Sequence, residues 1–159
     1  MKFYCADAYQ DKCQKLFELY SYIIRDLAPT ANIEHIGSSS IPHAISKGDL
    51  DIFVGVSPEI FESTITSLVQ LDFREKLDTL RTNELCMLEK VGESGIAIQI
   101  VANGSEYEDF LTFRDQLRKH ITLVRQYNNL KRACRGLKHT EYRKKKSLFI
   151  ERVLKRAKV

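Results

Sequence analysis

The chain has 159 residues, 43% of them hydrophobic and 29% charged, which suits one folded domain that buries roughly 70% of its unfolded surface without disulfides or a structural metal. No apolar run approaches the roughly 18–20 residues of a membrane span, and the start MKFYCADAYQDK has no apolar signal-peptide core. The net charge is +4, but residues 1–104 carry −6 and residues 105–159 carry +10, so the basic final third implies an anionic partner or a basic wall over an acidic site.

Along the chain, Leu16, Leu19, Tyr20, Ile23, Ile24 and Leu27 recur at helical spacing, which predicts an amphipathic helix over 8–27 that Pro29 stops. Ile33–Ile36 is a short strand running into a Gly37–Ser40 loop. Ile41–Ile45 reads as either a helical turn or an extended link. Gly48–Val56 alternates as a strand. Ser57, Pro58 and Glu59 read as cap, first helical residue and early acid before a helix. Phe73–Lys76 is a weak strand. Glu84–Val91 and Ile96–Ala102 form a hairpin across Gly92–Gly95. From Ser105 the period becomes helical. Ser105 with Glu108 suggests a capping box, and Phe110, Leu111, Phe113, Leu117 and Ile121 lie near one stripe. Residues 123–135 continue as helix, with Gly136 expected as the left-handed residue after it. Thr140–Arg156 is a last helix. The expected fold is α/β of the α+β type, a mixed sheet over about 30–104 flanked by helices, with residues 105–159 helical and all 159 residues in one domain. Cys5, Cys13, Cys86 and Cys134 form no CxxC pair, which suits a reduced, cytoplasmic setting.

The chemistry concentrates between His35 and Ile52. Strand alternation puts Asp49 and Asp51 on one face, about 7 Å apart. Two such carboxylates repel each other unless a cation sits between them. Hard oxygen ligands of this kind suit Mg²⁺ shared with substrate phosphates. Gly37, Ser38 and Ser39 offer backbone N–H groups and hydroxyls to phosphate oxygens, and Lys47 adds a point charge. Tyr142 lies one helical turn before Lys146, so the two share a face and can act together. Blander readings stand beside these. The aspartates can be surface carboxylates, the serines can simply form a turn, and the 144–146 lysine run can be a solvated face.

The order Ile36-Gly37-Ser38, spacer, Asp49-Leu50-Asp51-Ile52 resembles the nucleotidyltransferase superfamily. His35-Ile36-Gly37-Ser38-Ser39-Ser40-Ile41-Pro42 and Lys47-Gly48-Asp49-Leu50-Asp51 resemble the GrpB family within that fold. The segments around Phe113–Arg118, Tyr127–Lys131 and Tyr142–Ile150 extend the likeness over about residues 8–155. The resemblance implies a nucleotidyltransferase-like sheet and places Asp51 at a family position. Asp49 stands where many relatives are apolar, and Lys47-Gly48 replaces Lys-Pro. It also implies a third carboxylate position on the strand 96–102. Gln99 occupies it, and Gln brings no charge. Glu34 and Glu89 are candidate substitutes.

Two functions follow. One is Mg²⁺-dependent nucleotidyl transfer, with Asp49 and Asp51 catalytic and metal-binding, and Gly37, Ser38, Ser39, Lys47, Tyr142 and Lys146 holding the nucleotide or other phosphorylated small molecule. The other is a non-catalytic nucleotide-, phosphate- or RNA-binding module with a degenerate site.

Overall fold

The computed structural model describes residues 2–159. Helix α1 (Ala6–Leu27) leads into strand β1 (Asn32–Ile36), a 3-10 turn at Ser38–Ser40, and strand β2 (Leu50–Val56). Helix α2 (Phe61–Val69), strands β3 (Phe73–Glu75), β4 (Leu85–Lys90) and β5 (Ile96–Ala102), and helices α3 (Asp109–Lys119), α4 (Ile121–Ala133) and α5 (His139–Ala157) follow. The sheet order is β1-β2-β5-β4-β3. Only β2 and β5 run parallel; the other neighbours are antiparallel. The mixed sheet and the helical last third are thus as the sequence predicts.

Alternation gives the sheet two unlike faces. Leu50, Ile52, Val54, Ile96, Ile98 and Ile100 point to one side, where they bury against residues of α1 and α2. The other face carries Ile36, Phe53, Leu85 and Val101, packed beneath Tyr107, Phe110 and Leu111. Leu117 of α3, Val124 and Tyr127 of α4, and Phe149 and Val153 of α5 form a third cluster with Ile41 and Ala44. The helical third therefore closes on the segment before β2 as well as on the sheet.

Several local expectations need correction. The strand begins at Leu50, not Gly48, because Gly48 takes φ +96° and pairing starts where the Leu50 N–H reaches the Gly95 carbonyl at 2.7 Å. Asp49 therefore precedes the strand. Ser57 makes no side-chain cap, since the chain enters α2 through a 3-10 turn at Pro58–Ile60. The capping box does not form either: another 3-10 turn, Glu106–Glu108, opens the helical region. The Glu108 carboxylate accepts from the Gly104 N–H, and the Ser105 hydroxyl is buried without a partner. His120 is extended (φ −128°, ψ 97°) and resets the helical phase, so Ile121 is 43% exposed rather than on the stripe. Helix α4 ends at Ala133, and Gly136 is not left-handed. Among the described residues no helix is long and apolar enough to cross a membrane.

Candidate functional site

A cavity of about 410 Å³ opens at the polar end of the second sheet face. Of the residues singled out from sequence, Gly37, Ser38, Lys47, Asp49, Asp51, Tyr142 and Lys146 all line it. Ser39 does not. It is 6% exposed and its hydroxyl lies 2.7 Å from His35 Nε2.

Asp51 lies opposite Ile36 of β1 and Ala97 of β5. Its carboxylate rests against Gly37, where an added Cβ would come within 2.5 Å of Oδ2. Gly37 takes φ 73°, ψ −179°, a conformation essentially restricted to glycine. Glycine thus lets the loop backbone meet the carboxylate directly. Burial pushes Asp51 up to about 6; Lys146 and then Lys47 and Lys131 pull it down, while Asp49 adds to the rise. Asp49 stands beside the β4–β5 turn, with a Cβ on Gly95 placed 3.1 Å from its Oδ1.

The cationic side of the cavity is richer than the sequence suggests. Lys47, Lys76, Lys131, Arg143 and Lys146 line it against two carboxylates. Lys146 is held more basic than usual, first by the Tyr127 phenol and then by Tyr142 and Asp51 against the cost of burial. The Tyr142 hydroxyl is pushed up to about 12 by burial. Lys131 is 2% exposed. Its ammonium donates to Ser38 Oγ at 2.6 Å and to the Ile45 carbonyl at 2.5 Å, and it sits 4.1 Å from the centre of the Tyr127 ring. Burial lowers its pKa to about 7, with Lys146 and Lys47 adding to the fall.

The Gly37–Ser40 loop is shaped from outside. His35 stacks on Phe17 with ring centres 4.9 Å apart. Gln14 turns its amide oxygen to His35 Nδ1 at 3.1 Å, so Nδ1 carries the proton and Nε2 accepts from the Ser39 hydroxyl. Burial, then Arg118 and Arg114, lower the His35 pKa to about 4, keeping the ring neutral. Arg118 Nε donates to the Ser40 carbonyl at 2.9 Å. Arg114, 6% exposed, donates to the His35 carbonyl at 3.1 Å and pairs with Glu34 at 2.8 Å and Asp115 at 2.9 Å. The Asn128 amide bridges the Ile45 N–H and the His43 carbonyl at 3.0 and 2.9 Å.

Gln99 faces the cavity from β5, opposite Phe53 and Met87. Neither candidate substitute joins it. Glu34 is spent on Arg114, and Glu89 pairs with Arg74 at 3.0 Å and lies near Lys76. Among the described residues no three His, Cys, Asp or Glu side chains cluster as a metal cage. Two hard carboxylates suit Mg²⁺, whose remaining octahedral positions go to water and substrate phosphate.

Sequence reasoning missed Lys76, Lys131 and Arg143 in the cavity wall and Arg114, Arg118 and Asn128 behind the loop. A signal existed for two of them. Lys131 follows Val124 and Tyr127 at i+7 and i+4, and Arg114 follows Phe110 at i+4, so both cations fall on apolar stripes.

The GrpB protein family matches residues 6–156. A UPF0157 protein of Vibrio cholerae is 57% identical over 157 residues, covering 99% of this chain and 84% of that protein. A UPF0157 protein of Deinococcus radiodurans is 29% identical, covering 89% of this chain and 75% of its own length. The crystal structure of conserved protein GrpB from Enterococcus faecalis superposes with a TM-score of 0.79 at 21% identity, covering 98% of this chain and 96% of that one. A structure of Cid1, described for its RNA terminal uridylyl transferase activity, matches with a TM-score of 0.55 at 13% identity, over 79% of this chain and 40% of Cid1. The last two likenesses concern the fold alone, which is similar to nucleotidyltransferase-like folds. With a family match across nearly its whole length, the chain belongs to the GrpB family.

Proposed function

We propose that this chain binds a nucleoside triphosphate together with Mg²⁺ and transfers its nucleotidyl group to an acceptor. The observation that carries this reading is the convergence of Asp49 and Asp51 with Gly37, Ser38, Lys47, Lys131 and Lys146 on one cavity. The carboxylates are the metal ligands. The Gly37–Ser38 loop, Lys47 and Lys146 receive the phosphates, Lys131 holds Ser38 in place from behind, and Tyr142 sets the position of Lys146. Magnesium, when bound, supplies positive charge to the phosphate oxygens. The residues themselves contribute alignment and preorganised charge. In the transfer an acceptor hydroxyl oxygen bonds to the α-phosphorus. The bond to the bridging oxygen breaks, and pyrophosphate leaves with that electron pair. The hydroxyl proton passes to water, since Gln99 cannot take it.

A second reading, nucleotide binding without transfer, is favoured by that same Gln99. RNA is a candidate acceptor or ligand in either case, since Lys144 and Lys145, between the cavity-lining Arg143 and Lys146 in sequence, are exposed.

Thermal shift with each nucleoside triphosphate, with and without Mg²⁺ or Mn²⁺, tests binding, because a ligand stabilises by RT ln(1 + [L]/Kd). Stabilisation that needs metal and nucleotide together supports the reading; no shift under any combination overturns it. Labelled nucleotide with candidate acceptors then separates transfer from binding alone.

A further inference from the structure

A second hollow of about 280 Å³ lies between the start of α3 and the end of α5, lined by Tyr107, Phe110, Phe113, Ile150 and Leu154. Phe110, Phe113 and Ile150 also line the cationic cavity, so the two spaces share a wall. Helix α5 runs along both. Tyr142, Lys146, Ile150 and Leu154 recur every four residues on one stripe. At 1.5 Å per residue the stripe passes from the Lys146 ammonium's turn to Leu154 in roughly 12 Å. Along that distance the lining changes from cations to aromatic and aliphatic groups. The rim of the second hollow carries Glu106 and Asp109, with Asp109 paired to Lys158 at 3.1 Å. Those carboxylates repel a phosphate. A ligand that lay across this shared wall with a polyanionic end and an uncharged ring end would do so in one direction only.

Resting on the nucleotide reading above, we infer that the Tyr107–Phe110–Phe113–Ile150–Leu154 hollow is the subsite for the nucleobase, with the phosphates held about the Lys146 end. A base offers a flat, uncharged face to apolar walls and N–H donors to the carboxylate rim. Its phosphates stay within reach of the cations.

Calorimetric titration with ATP and with inorganic tripolyphosphate, each with Mg²⁺, tests this on wild type, Leu154→Glu and Leu154→Met. Wild type is expected to bind ATP at least tenfold more tightly than tripolyphosphate. Leu154→Glu is expected to abolish that advantage while binding tripolyphosphate as wild type does, which also shows that it is folded. Leu154→Met is expected to keep the advantage. Equal affinity of wild type for ATP and tripolyphosphate overturns the base subsite and leaves the phosphate site standing. An equal loss of both ligands in Leu154→Glu also overturns it. Binding of neither ligand to wild type overturns the nucleotide reading as well.

Discussion

Lys131 Nζ and Ser38 Oγ lie 2.6 Å apart across 93 residues of sequence, and this bond fixes a helix of the basic third to the loop that faces the carboxylates. The ammonium is nearly inaccessible and has a pKa lowered to about 7 by burial. An unfolded lysine titrates near 10.4. Between about pH 7 and 10.4 the unfolded state therefore binds more protons, and stability rises with pH. Lys131→Met removes that slope. It also leaves Ser38 Oγ and the Ile45 carbonyl without their donor, a cost of about 1–3 kcal/mol if water does not replace it. Urea unfolding at pH 7 and pH 10 measures both effects; a variant with the wild-type slope would exclude Lys131 as its source.

Two buried groups oppose each other at lower pH in metal-free protein. His35 is depressed to about 4 from 6.5, so its burial costs stability that is recovered as pH rises through that window. Asp51 is raised to about 6 from 3.8, so stability is lost as pH rises from 3.8 to 6. The two slopes largely cancel in wild type. Asp51→Asn is expected to expose the rising slope of His35 and to stabilise the protein at pH 7 by on the order of 2 kcal/mol. His35→Gln is expected to expose the falling slope. Unfolding free energies from pH 4 to 7 in the presence of EDTA check the pair, and parallel profiles for the three proteins would contradict it.

Gly37 and Gly92 separate backbone strain from a steric clash. Both have positive φ, +73° and +79°, but a Cβ on Gly92 meets open space. Gly92→Ala is expected to cost about 1–2 kcal/mol, the left-handed penalty alone. Gly37→Ala adds a side chain 2.5 Å from Asp51 Oδ2 to a glycine-only conformation. It is expected to cost about 3 kcal/mol or more and to displace the Asp51 carboxylate. Mn²⁺ and nucleotide binding should then fall in Gly37→Ala and stay unchanged in Gly92→Ala.

Metal affinity should depend on the nucleotide, because two carboxylates only neutralise one divalent ion. Gln99→Asp places a third carboxylate toward the cavity and is expected to tighten Mn²⁺ binding at least tenfold without nucleotide. Asp51→Asn is expected to weaken binding of both ligands. Titration of Mn²⁺ with and without nucleotide reads the coupling directly. Equal wild-type affinity in the two conditions would mean that it is absent.

How much of this was legible in the sequence differs by kind of interaction. Ile96–Ala102 matches β5 residue for residue, because continuous apolar alternation between turn signals records sheet burial. The aspartate pair was visible as the polar half of the alternation Asp49-Leu50-Asp51-Ile52, and Gly37–Ser38 as the loop before it. Lys131 and Arg114 were not, because hydrophobic period counts apolar residues and treats a cation as the edge of a stripe. Residues 41–46 gave no clear period for a different reason. Their shape comes from Tyr9 and Gln10 of α1 and from Asn128 and Lys131 of α4, whose side chains bond their backbone groups. Nothing local in that segment encodes those partners.

The bonds from α3 and α4 to the 38–45 segment span between 78 and 93 residues. Such distant pairings carry a larger loop-closure cost than local ones and slow folding. During synthesis the sheet strands emerge well before Arg118 and Lys131, so the two aspartates are made long before the loop beside them can be fixed. The 38–45 segment is complete only once α4 supplies Asn128 and Lys131. A truncated or stalled chain lacking that helix would carry Asp49 and Asp51 beside a loop with neither the Lys131 bond to Ser38 nor the Asn128 bridge to hold it.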